Sequence, residues 1–172
     1  MEFLNNLETK NVSKGTILLH QGDLCKAVYK VVKGCLKSYV TDNTGKEHIL
    51  QFAPEEWQIS DLDSFLNDKP TAVFIEAIED SEIIILSKDF LLNYKSFDRP
   101  ALVELNNKLL HNIIATNRRL IALLTVSAEE RYIDFTQTYP NLVQRLSLKL
   151  IASYIGITPE YLSEIRRKIV HK

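Results

Sequence analysis

The feature that most constrains the fold of this 172-residue chain is an uninterrupted run, free of glycine and proline, from Ala101 to Val126. As a helix it extends about 39 Å at 1.5 Å per residue. Asp98 stands where a cap belongs and Pro100 suits a first helical turn. Leu102, Leu105, Leu109, Ile113, Leu120 and Leu124 make one apolar stripe, and Val103, Leu110, Ile114, Ile121 and Leu123 widen it beyond a single core-facing seam. A helix this long and this apolar outruns a small neighbouring domain, so it is expected to pair with a second copy of itself. The expected pairing positions are Leu102, Leu109, Ile113, Thr116, Leu120 and Leu124. One helix packed wholly on its own sheet domain is the alternative.

Before this run the period is different. Gly15, Gly22, Gly34 and Gly45 punctuate short alternating or β-branched segments, with strands expected over 16–20, 28–32, 35–40 and 48–52. Two more, 73–78 and 82–86, flank the acidic turn Glu79-Asp80-Ser81. Period two places one face inward and one outward. Six or more such antiparallel strands predict a barrel or a double-sheet roll of the jelly-roll type. The class is therefore α+β, with a β-roll over 1–98, a dimerisation helix over 99–126 and a helical unit over 127–172.

Several function classes are excluded at this stage. No apolar run approaches the roughly 18 residues of a membrane span, and MEFLNNLETK has no basic leader with an apolar core, so a cytoplasmic protein is expected. Cys25 and Cys35 read as small buried hydrophobes, and His20, His48, His111 and His171 are scattered, so no metal, iron–sulfur cluster or other cofactor is expected. A metal-dependent oxygenase on a β-roll needs clustered ligands such as His-x-His, which His20 and His48 do not supply. No catalytic residues are expected.

The last 46 residues carry helix signals and no clear strand. Ser127 and Glu130 form a capping box for a helix ending near Tyr139, before Pro140. Ser147 caps 148–155, Gly156 ends that helix, and Thr158 caps a third with Pro159 at its first position. The three-residue turn 156–158 is the length of a helix-turn-helix, with Ala152 permitting close approach and Ile151, Ile155, Ile157, Leu162 and Ile165 as its core. Pro159, Glu160, Ser163, Glu164 and Arg167 are left on the outer face, which would enter a major groove. The net charge is −1 overall, yet Arg166, Arg167, Lys168 and Lys172 face only Glu164 after Tyr161. Together with Lys149 and Arg145 they would meet the phosphate backbone, with Ser147 and Thr158 at the two helix starts.

At this point the chain resembles the catabolite-activator and fumarate-nitrate-regulator (CRP/FNR) transcription factors over nearly its whole length. The resemblance is carried by Lys14-Gly15-Thr16, Gln21-Gly22-Asp23, Tyr29 through Gly34, Leu36-Lys37, Gly45-Lys46-Glu47, Ser127 through Arg131, Leu150-Ile151-Ala152 and Gly156 through Ser163. It implies a bacterial regulator with a cyclic-nucleotide-binding-like β-roll sensor, a parallel dimer helix and a DNA-binding domain hinged after it. Its partners would be a second copy, palindromic double-stranded DNA and RNA polymerase, with an effector shifting the population between two arrangements.

The same resemblance marks departures. The family's cyclic-nucleotide members use a Gly-Glu and an Arg-Ser or Arg-Thr pair in a phosphate cassette, matched here by Ser60, Asp61, Leu62 and by Lys69, Pro70, Thr71. Pro70 stands where the Arg belongs and can neither donate a hydrogen bond nor neutralise a phosphate. The helix position that offers a hydroxyl to the base looks like Ile114 or Ala115, with Thr116 one step on. Tight cyclic AMP binding is therefore not expected. Cys25 and Cys35 match no oxygen-sensing cluster. On the reading helix Glu164 fills a position where many members carry Arg, whereas Glu160 matches the usual acidic reader; no β-hairpin wing is expected before Lys172. A ligand-sensing or interaction module that has lost DNA binding is the alternative function.

Overall fold

The computed structural model describes residues 7–92 and 97–170. The first six residues, where a leader was sought, lie outside the described set, as do His171 and Lys172. The chain forms two compact units, Met1–Glu104 and Leu105–Lys172.

The first unit is an antiparallel roll of two four-stranded sheets. One sheet has the order β1-β8-β3-β6, from Thr9–Val12, Ser81–Ser87, Ala27–Lys33 and Gln58–Ile59. The other has the order β2-β7-β4-β5, from Ile17–Leu19, Phe74–Ala77, Leu36–Thr41 and Glu47–Ala53. Val31, Leu36, Ile75, Ala77, Ile83 and Leu86 belong to the core that this unit buries, with Phe65 added from the short helix α1 (Leu62–Asn67). Gly34 turns β3 into β4 at φ +91°, and a Cβ there would stand 2.8 Å from the Asp80 carbonyl oxygen, so the position excludes any side chain.

Simple alternation fails in β3 and β4, one inner strand of each sheet. Ala27 through Val31 and Leu36 through Tyr39 are buried without a break. Two lysines lie in these runs, Lys30 at 5% and Lys37 at 4% exposure. Each is balanced: Lys30 Nζ sits 3.1 Å from Glu56, and Lys37 Nζ sits 2.6 Å from Glu47 and 3.2 Å from Glu76, over the Tyr39 ring at 4.1 Å. A buried ammonium is tolerable only with such partners. Burial, with the charges of Glu76 and Glu47, pushes the Tyr39 hydroxyl up to about 12.

The described residues form eight strands, in keeping with the six or more expected, and the two that the sequence did not place are β1 and β6. β1 is polar and mostly exposed and β6 has two residues, so neither carries a periodic signal. The short helices α1, α2 (Lys88–Leu92) and α5 (Pro140–Val143) were likewise not expected, because one helical turn is too short for a 3.6-residue period to show.

The long helix, α3, spans Arg99–Thr125. Asp98 caps it, accepting from the Ala101 N–H at 2.9 Å. The boundary between the two units falls within it. In the second unit α4 (Ala128–Thr138) begins at the Ser127–Glu130 capping box. The Ser127 hydroxyl and backbone N–H hold the Glu130 carboxyl below its usual range. After α5 come α6 (Leu148–Ile155) and α7 (Pro159–Val170). Their core is Ile151, Ala152, Ile155, Leu162 and Ile165, joined by Tyr132, Phe135, Leu142 and Leu146.

Candidate nucleic-acid interface and effector cassette

The turn between α6 and α7 follows from three residues. Ser147 accepts the Leu150 N–H at 3.3 Å and starts α6. Gly156 adopts φ +79° and ends it, and the Ile157 N–H returns to the Ala152 carbonyl at 3.0 Å, closing the last turn. Thr158 then accepts the Tyr161 N–H at 3.3 Å and starts α7. Ala152 is fully buried where the two helices meet.

With Leu162 and Ile165 sunk into the core, α7 presents Glu160, Glu164, Arg166, Arg167 and Lys168 to solvent. Pro159 and Ser163 are half-buried, and the Ser163 hydroxyl donates to the Pro159 carbonyl at 2.9 Å. Arg145, Ser147, Lys149 and Thr158 are exposed. Glu160, Ser163, Glu164 and Arg167 thus share one face at helical spacing, with cations on the turn beyond. Sequence reasoning passed over Tyr161, which is 45% exposed in the first turn of α7. It also passed over Arg119 and Arg131. Arg119 donates to the Tyr154 carbonyl at 2.7 Å, and Arg131 to those of Ile155 at 2.9 Å and Val126 at 2.6 Å. Nothing in a one-dimensional pattern marks an arginine that caps a helix distant in sequence.

Along α3, Leu102, Leu109, Thr116, Ile113, Leu120 and Leu124 are all exposed, the last three at 57%, 55% and 76%. Val103, Leu110, Ile114 and Ile121 are exposed beside them.

The cassette closes on itself. The Asp61 carboxylate accepts from the Asp63 and Ser64 N–H groups as the cap of α1, and from the Thr71 hydroxyl at 2.5 Å. Ser60 donates to the Ala27 carbonyl at 3.0 Å and lies 3.2 Å from the buried Cys25 thiol. The Thr71 N–H and C=O bond Asp23 and Gly22. Pro70 is exposed and bridges to Leu24, and Leu62 is exposed. Lys69 pairs with Asp63 at 2.5 Å and Lys88 with Asp68 at 2.7 Å, so both nearby ammonium groups already face an acid. The Lys69 ammonium and the Asn67 amide hold the Asp63 carboxyl below its usual range. A cyclic phosphate placed here would meet the Pro70 ring where the family's arginine stands, beside two ammonium groups that each already face an acid. Among the described residues no three His, Cys, Asp or Glu side chains group to hold a metal ion. No described helix is long and apolar enough to cross a membrane.

The family model described as "Cyclic nucleotide-binding domain" matches residues 9–96, just over half of the chain. The chain is 28% identical over 172 residues to an anaerobic regulatory protein of Aggregatibacter actinomycetemcomitans, covering 91% of this chain and 64% of that protein. It is also 28% identical to the regulatory protein HlyX of Actinobacillus pleuropneumoniae, covering 91% of this chain and 69% of that one. It thus spans about two-thirds of the length of these relatives. Among solved structures, FixK2 of Bradyrhizobium japonicum superposes with a TM-score of 0.79 at 18% identity, over 96% of this chain and 85% of that one.

Proposed function

The chain belongs to the cyclic nucleotide-binding domain family, and from that membership and its likeness to regulatory proteins we propose that it is a CRP/FNR-type transcription regulator, acting as a homodimer that reads palindromic double-stranded DNA through α7. The observation that carries this is the division of labour on α7. Leu162 and Ile165 are spent on the core, while Glu160, Glu164 and Arg167 are left free to meet base edges, with Arg166 and Lys168 placed for phosphates. The exposed leucines and isoleucines of α3 support pairing with a second copy, since a bare stripe of that size is costly in water. A cytoplasmic location and contact with RNA polymerase belong to the same reading.

Arg is the bidentate reader of guanine, whereas a carboxylate only accepts, for example from cytosine N4. With Glu160 and Glu164 one turn apart, the preferred half-site presents amino groups at the positions these two acids face, and a guanine only where Arg167 reaches. Random-oligonucleotide selection tests this: an enriched palindrome with cytosine or adenine at the positions facing the two acids is expected, and no enriched palindrome would overturn the DNA-binding reading.

The sensor does not take up cyclic AMP tightly in this reading. Support comes from Pro70 and from the Asp61–Thr71 and Lys69–Asp63 pairs. Calorimetric titration is expected to give no heat at micromolar nucleotide; a micromolar Kd would overturn this part alone. The same exposed acids on α7 favour one other reading, an interaction module that no longer binds DNA. Arg167→Ala separates the two: a DNA reader loses affinity, and an interaction module is unaffected.

A further inference from the structure

We propose that Arg119 and Arg131 are positioning residues that lock the reading pair α6–α7 onto the C-terminal half of α3, so that the placement of α7 relative to the pairing helix is set by these two side chains. An α-helix leaves its last four carbonyls without intrahelical partners. In α6 these belong to Ala152, Ser153, Tyr154 and Ile155. The backbone turn takes the first two, through the Gly156 and Ile157 N–H groups. The other two are taken from outside the pair: Arg119 Nη2, on α3, donates to Tyr154 at 2.7 Å, and Arg131 Nε, on α4, donates to Ile155 at 2.9 Å.

Each arginine does a second thing that a simple cap would not. The Arg119 guanidinium lies 4.2 Å from the Tyr154 ring centroid, and that ring packs against Phe135 at 5.4 Å and Tyr139 at 6.2 Å. Arg131 Nη1 reaches the Val126 carbonyl at 2.6 Å, spanning the joint between α3 and α4. Leu123 of α3 lies beside this turn, its Cδ2 standing 3.1 Å from where a Cβ on Gly156 would be. The last two residues of α6 are therefore gripped, Tyr154 from α3 and Ile155 from the first turn of α4.

Cations at a helix C-terminus also complement its dipole, and a guanidinium over a desolvated ring is held more firmly than an exposed ion pair. The joint at Val126–Ser127 is thereby braced. Turning α7 about that joint requires release of both arginines, whereas motion upstream in α3 carries the pair along unchanged. The consequence for DNA, which rests on the proposed function, is that the arginines fix the half-site separation the dimer accepts.

The test measures placement without DNA. Nitroxide labels at Asn117→Cys on α3 and Lys168→Cys on α7, with Cys25 and Cys35 replaced by alanine and labelled chains diluted with unlabelled ones, report the distance within one chain. A narrow distribution is expected, with Arg119→Met raising the displaced population roughly tenfold, as befits loss of a charge-assisted bond. Arg131→Met is expected to broaden it as well. Should Arg119→Met fail to fold, as judged by circular dichroism, Arg119→Lys, which removes the guanidinium, and Tyr154→Leu, which removes the ring it lies over, are each expected to broaden it in the same direction. Unchanged distributions in the folded variants overturn the proposal. With the selected operator, the wild type should favour one half-site separation and Arg119→Met should flatten that preference while single half-site binding is kept. Absence of any DNA binding by the wild type sinks the proposed function and leaves the distance result to judge the positioning role.

Discussion

Replacing Gly156 with alanine perturbs the turn that separates α6 from α7 in two ways of different size. At φ +79° an L-residue brings its Cβ against the following carbonyl, which costs about 1–2 kcal/mol. The new methyl would also stand 3.1 Å from Leu123 Cδ2, closer than comfortable contact. That atom is the end of a flexible, half-buried side chain that can swing by a few tenths of an ångström, so backbone strain dominates. The expected loss is about 1–2 kcal/mol in urea unfolding followed by circular dichroism, with the slope against denaturant unchanged. Gly156→Asn separates the two causes, because asparagine carries the same Cβ but tolerates the left-handed region. It should lose less than half as much. Equal losses for alanine and asparagine, both relieved by Leu123→Ala, would show that crowding controls the site; no loss at all would refute the left-handed turn.

Ile113→Glu or Leu120→Glu places a charge on the exposed stripe of α3 and should convert a dimer to a monomer in sedimentation velocity; an unchanged dimer would mean that the copies meet elsewhere. Lys37→Met strands Glu76 and Glu47 beside each other and should cost about 2 kcal/mol, less than a fully buried pair because Glu47 is partly solvated, with Glu76→Gln in the same chain recovering part of it in thermal melts. The Glu130 carboxyl has a lowered pKa in the folded chain, so its contribution is present above the unfolded value of about 4 and is lost as pH falls below it. The stability gap between wild type and Glu130→Gln should therefore shrink between neutral pH and about pH 3.

Much of the second unit was legible because its punctuation is local. Ser127, Ser147, Thr158 and Gly156 act within four residues of themselves, so each cap and the turn fall where the residue types place them. The roll was legible through period two, but only as strands. Which strand neighbours which, β8 between β1 and β3 for instance, depends on contacts remote in sequence. The cassette was located by resemblance, with Pro70 and Asp61 read off directly. The pairing of Asp61 with Thr71 and of Lys69 with Asp63 was not readable, because side-chain partners across a loop follow from its closed geometry.

By itself the amino-acid order determined the start of the long apolar helix at Asp98–Pro100 and the three-residue turn between α6 and α7. These are consequences of spacing, capping and φ preference, which act over a few residues. Only the tertiary structure decided that Lys30 and Lys37 could be buried, since their acids come from other strands or from a turn. It likewise decided that Arg119 and Arg131 take the last carbonyls of α6. An unsatisfied carbonyl can be filled by any donor that folding brings near, and that choice is made in three dimensions.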